Sequence, residues 1–116
     1  MDKTNDTIME LKRIPRTFNC GGQQWWVSHV DRLDDNLLGR CSGGECLIEI
    51  ANEFNNKDLQ SDDCKVNTFY HELVHAILDN IGQDELSGDH KFVCSFAALL
   101  TESMRDARFI VNDDKE

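Results

Sequence analysis

Near residue 63 the hydrophobic period of this chain changes from two to 3.6, and that change divides it into a strand-forming first half and a helical second half. In the first half, Leu47, Glu49 and Ala51 alternate with Ile48 and Ile50, as a strand with two distinct faces does. A Gly-Gly turn at Ser42-Gly43-Gly44 joins residues 45–51 to residues 37–41 as a hairpin, and residues 24–33 mix Trp25, Trp26, Val27, Val30 and Leu33 with polar residues. In the second half, Val66, Phe69, Tyr70, Leu73, Val74, Ile77 and Ile81 recur at helical spacing. Ser61, Asp62 or Asp63 supplies an N-cap and Gly82 a stop, which predicts a helix over about 63–81. Ser87 or Asp89 caps a second helix over about 89–107, with Phe92, Val93, Phe96, Ala97, Leu99, Leu100 and Met104 on one side. The expected fold class is α+β, a small antiparallel sheet of three or four strands packed on two main helices.

The 116 residues suit a single domain, expected over 14–108, with a polar tail at 1–13 and a disordered acidic tail at 109–116. Twelve Lys and Arg stand against 22 Asp and Glu, a net charge of -10 that repels phosphate backbones and anionic membrane surfaces. Nucleic acid and membrane are therefore not expected as partners. No apolar run reaches the length of a signal region or a membrane span, so the chain reads as soluble and cytoplasmic. Five cysteines, Cys20, Cys41, Cys46, Cys64 and Cys94, are an odd number without a secretion signal, and free thiols filling small apolar gaps are expected. A second zinc site made from cysteines would lack the short Cys-x-x-Cys knuckles such sites use.

The first helix carries His71-Glu72-Leu73-Val74-His75. Positions i and i+4 share a helix face, so His71 and His75 can hold one metal ion while Glu72 stands beside it as a proton acceptor. By helical phase the two histidines flank the buried stripe. A catalytic zinc takes a third protein ligand and keeps a position for water. Leu78 and Ile81 rule out the longer motif that places this third histidine just after the helix. His90, Asp89, Glu85 and Glu102 remain; phase puts His90 at the border of the face turned to the first helix, so His90 is the expected third ligand. Asp79, one turn after His75, is a candidate to orient a liganding imidazole.

With these pieces in hand, the chain resembles the small HExxH zincin-type metallopeptidases of phages and prophages, relatives of the SprT-like and ImmA-like families. The resemblance rests on Leu47-Ile48-Glu49-Ile50, on the helix from Thr68 through His71-Glu72-Leu73-Val74-His75 to Leu78, and on Asp89-His90-Lys91-Phe92-Val93. It implies a zincin-like minimal core, one zinc ion per chain, a last metal ligand from the second helix, and a sheet edge that receives an extended peptide. With His90 in that region the chain is more SprT-like, without the basic surface of a DNA-associated protease.

The expected activity is peptide-bond hydrolysis of a protein or peptide substrate, with Glu72 as general base and zinc on His71, His75 and His90. Tyr70, His29 and Arg105 are candidate oxyanion donors. The peptide is expected along residues 47–51, with one of Trp25 and Trp26 in the core and the other a partly exposed cover. The rival expectation is a catalytically silent, zinc-stabilised module that sequesters a protein partner.

Overall fold

The computed structural model describes residues 13–55 and 57–108. The described chain runs β1 (Thr17–Cys20), β2 (Gln23–Val30), a 3-10 turn at Asp34–Asn36, β3 (Gly39–Ser42), β4 (Leu47–Ala51), β5 (Glu53–Phe54), β6 (Asp58–Leu59), α1 (Asp62–Asn80), α2 (Asp84–Ser87) and α3 (His90–Arg105). The tails expected at 1–13 and 109–116 lie outside the described residues, save Arg13, whose guanidinium donates to Asp63 at 2.7 Å.

The main sheet has the order β1-β2-β4-β3, and it is mixed, which corrects the antiparallel sheet expected from the sequence. β1 and β2 pair antiparallel, as do β3 and β4, but β2 and β4 run parallel with Val27 opposite Ile48 and His29 opposite Ile50. The hairpin formed by β3 and β4 docks by its second strand, because that strand has the apolar faces: Ile48, Ile50 and Ala51 are fully buried. β3, with Arg40 and Ser42, is polar enough for the outer position. β5 and β6 make a separate two-stranded ribbon.

Helix α1 is the middle layer. Its sheet side closes a core of Trp25, Val27, Ile48, Ile50, Phe69 and Ala76, with Phe18 stacked on Trp25 at 5.8 Å. Its far side packs on α3 through Val74, Leu78, Val93 and Ala97. The sheet thus rests on one helix, and the second helix on the first. Each fully buried Ile or Val contributes about 1.5–3 kcal/mol relative to an exposed one, so both seams are needed.

The stripe α3 buries is narrower than its sequence implies. Val93, Ala97 and Thr101 are buried, whereas Phe96, Leu99 and Met104 are exposed. Ile77 of α1 and Ile81, just past its end, are exposed too. Small residues at i, i+4 and i+8 let two helices approach closely, and the larger side chains then fall outside the contact.

Helix boundaries follow local chemistry. Ser61 Oγ accepts from the Cys64 amide at 3.1 Å and Asp89 accepts from the Phe92 amide at 3.1 Å, capping α1 and α3. Gly82, at φ 78°, turns the chain out of α1. Gln60 ties α1 to the sheet: its buried amide donates to Ala51 O at 2.6 Å and Leu38 O at 3.3 Å and accepts from Thr68 Oγ1 at 2.5 Å. Among the described residues no helix is long and apolar enough to cross a membrane.

Candidate metal and proton-transfer site

His71 and His75 lie half-buried on α1 at the seam between the two cores, their ring centroids 5.0 Å apart. Two imidazoles bound to one tetrahedral zinc, at Zn–N of about 2.0–2.1 Å, have centroids roughly 5 Å apart, so this pair has the bite a metal needs. Burial, followed by the neighbouring His75 and His90, lowers the pKa of His71. The Glu72 side chain leans toward β3 of the sheet, and only 8% of its surface is exposed. That desolvation pushes its carboxyl up to about 7.

Gly39 of β3 lies against the Glu72 and Thr68 side chains. A Cβ placed there would stand 3.2 Å from Glu72 Cγ and 2.5 Å from Thr68 Cγ2. β3 is an outer strand, whereas β4 is paired on both sides. The edge expected at residues 47–51 is therefore closed, and the free edge beside Glu72 is Gly39–Ser42.

The expected third donor, His90, comes near but does not converge. Its centroid is 6.4 Å from that of His71, and its Nε2 lies 3.4 Å from Cys94 Sγ. Among the described residues no group of three or more His, Cys, Asp or Glu side chains is placed to hold a metal ion. His90 is exposed on the first turn of α3, so its side chain is free to rotate. Asp89 is committed to its cap, and Glu85 and Glu102 stand exposed at the surface. The spacing of the α1 pair suits two donors to one zinc ion, and His90 stands apart from them, beside Cys94.

Ser87 takes the position expected of Asp79. Its hydroxyl is hydrogen-bonded to His75 Nδ1 at 3.0 Å, which fixes the ring and leaves Nε2 to bind. Asp79 instead lines a cavity of about 150 Å³ with Gln23, Trp25, Gly43, Ala76 and Asn80. Trp25 is buried and Trp26 is 52% exposed, as expected of a core residue and a cover.

The three candidate oxyanion donors each have other contacts. Tyr70 packs edge-on to Phe69 at 5.1 Å, His29 sits on β2 near enough to Lys65 for that charge to lower its pKa after burial does, and Arg105 pairs with Asp106 at 3.9 Å.

All five cysteines are free thiols, and Cys20, Cys41 and Cys46 pack against the sheet-side core. Neither Ser87 nor Cys94 was marked by sequence reasoning as part of a site, although Cys94 stands at i+4 from His90 just as His75 does from His71. Comparison with family models, curated proteins and solved structures finds no match to this chain.

Proposed function

We propose that the chain is a zinc-dependent metallopeptidase, with His71, His75 and His90 holding one zinc ion and Glu72 acting as general base. The observation that carries this reading is the 5.0 Å spacing of the His71 and His75 rings on a helix that also buries Glu72. When bound, zinc supplies a Lewis acid for the peptide carbonyl and acidifies a water toward neutrality.

The chain's own groups position the reactants and move the proton. Glu72 takes the proton of the attacking water at a carboxylate oxygen and returns it to the leaving amine nitrogen, so no proton is gained or lost over the cycle. Its buried setting against the sheet strengthens that exchange by excluding competing solvent. Ser87 holds the His75 ring in place through its Nδ1. An extended peptide adds to Gly39–Ser42, gaining main-chain hydrogen bonds with little side-chain selection. Gly39 brings that edge down onto the Thr68 and Glu72 side chains, where any larger residue would hold it away.

The position of His90 against Cys94 favours one alternative, a zinc-stabilised module that binds a protein partner without cleaving it. Turnover of an unfolded protein substrate separates the two. Glu72→Gln is expected to reduce it by about 10²–10⁴-fold while zinc stays at one per chain. Zinc-loaded protein that cleaves nothing, both as wild type and as Cys94→Ala, overturns the peptidase reading.

A further inference from the structure

We infer that the cavity between the β3–β4 turn and the end of α1 binds a carboxamide side chain, glutamine or asparagine, of a peptide laid along β3; this rests on the peptide edge proposed above. Gly39 stands over Thr68 and Glu72, and Gly43, just past the end of β3, borders the cavity with Ala76 and Asp79. The strand therefore runs down α1 from Glu72 toward Asp79, and a peptide paired with it reaches the cavity roughly 13 Å beyond Gly39, four residues at about 3.3 Å each. The strand edge itself selects little, and the cavity is where selection enters.

Trp25 is the reason to expect a ligand there. It is 3% exposed, yet among the described residues its indole Nε1–H has no hydrogen-bond partner. A buried donor without an acceptor is costly, and on its core side Trp25 meets the Phe18 ring and the apolar cluster. At the cavity it shares the lining with polar groups, Gln23, Asp79 and Asn80. Asn80 is closely seated, since a Cβ at Gly21 would stand 2.3 Å from its Nδ2. Asp79 lies in the last turn of α1, where the helix dipole opposes a negative charge and no basic side chain offsets it.

These groups specify what fits. The indole only donates and a carboxylate only accepts, so the ligand must accept at one atom and donate from another. A carboxamide does both in one plane, and the Gln23 and Asn80 amides can pair with either end of it. An ammonium group offers the indole no acceptor, and a carboxylate meets Asp79 as a like charge. A cavity of about 150 Å³ holds a benzene-sized group, which suits a glutamine side chain.

The test uses the full-length chain in chelator, isotope-labelled for nuclear magnetic resonance and carrying Trp26→Phe, so that Trp25 gives the single indole N–H resonance. Four capped peptides, alike except for a central glutamine, glutamate, lysine or methionine, are titrated against it. The glutamine peptide is expected to shift that resonance saturably, to bind about tenfold or more tighter than the other three, and to lose that margin in Asp79→Ala, a change at an exposed side chain. Should Trp26→Phe not fold, the wild type serves, because Trp26 is 52% exposed and its indole N–H exchanges with solvent faster than that of Trp25. An indole resonance that no peptide moves means that water alone fills the cavity, and it overturns the inference; equal binding of the four peptides, or a margin untouched by Asp79→Ala, does the same. A glutamine-selective shift in a protein whose zinc-loaded form cuts nothing upholds the cavity and removes the peptidase. Cleavage by a protein whose Trp25 resonance stays fixed does the reverse.

Discussion

Consider Gly39→Ala, which adds one methyl group where β3 crosses α1. The new Cβ would lie 2.5 Å from Thr68 Cγ2, 3.2 Å from Glu72 Cγ and 3.3 Å from the Glu49 carbonyl oxygen. Carbon atoms rest about 3.5–4.0 Å apart, so the Thr68 methyl must yield by at least ~1 Å. Rotating Thr68 away breaks its buried hydrogen bond to Gln60, and moving β3 strains its ladder with β4. Overpacking of this kind costs about 1–3 kcal/mol. Against it, alanine narrows the unfolded ensemble, which stabilises by about 0.4–1 kcal/mol where the backbone suits it. The net expectation is a loss of roughly 0.5–2 kcal/mol.

Thr68→Ser removes the obstructing methyl and keeps the hydroxyl, at a cost of about 0.8 kcal/mol for the buried carbon. In that background Gly39→Ala becomes neutral or stabilising, giving a coupling of about 1–2 kcal/mol. Urea unfolding of the four proteins, with a common m-value, measures it. Effects that add to within about 0.5 kcal/mol would show that the strand does not lie on Thr68 as described.

Three further outcomes are expected. Gln60→Leu takes the side-chain partner from the Ala51 carbonyl and the Thr68 hydroxyl, while the Leu38 carbonyl keeps the Ala51 amide, and urea unfolding should show a loss of about 1–3 kcal/mol. Ser87→Ala should weaken zinc binding by about 10–100-fold in a chelator competition while the melting temperature of the metal-free protein barely moves. Burial, then the nearby Glu72, Asp79 and Cys20, pushes the Cys41 thiol from 9.0 up to about 12, so iodoacetamide at pH 8 should spare it in the folded protein and modify it in urea. Because the raised value belongs to the folded state, this thiol favours folding fully below pH 9.0 and progressively less as pH climbs toward about 12.

Local chemistry was the legible part. The caps at Ser61 and Asp89, the exit at Gly82 and the alternation of residues 47–51 are each decided within a few residues, and the structure follows them. The strand order was not legible, since the contact of β2 with β4 joins segments about twenty residues apart with no turn to announce it. A signal was present nonetheless: Ile48, Ile50 and Ala51 make β4 the most apolar strand, and such a strand belongs in the middle of a sheet.

Helical phase set His71 and His75 beside the buried stripe of α1, where they lie half-buried, but gave no sign that Glu72 is buried or that the His90 ring rests against Cys94. It failed for Phe96 and Leu99, because a helical wheel shows which side is apolar and not how closely the neighbouring helix approaches. Ser87 reads in the sequence only as a helix cap, because its contact with His75 is made through the turn between two helices.

That α1 is a wall common to two cores has a consequence for how this sequence tolerates change. A substitution at Phe69 disturbs the support behind the paired imidazoles, and one at Val93 disturbs the helix that presents His90. Neither error is contained by the other seam. Variation should therefore accumulate in β5, β6 and the outer ridge of α3 long before it reaches the nineteen residues on which both halves of the molecule lean.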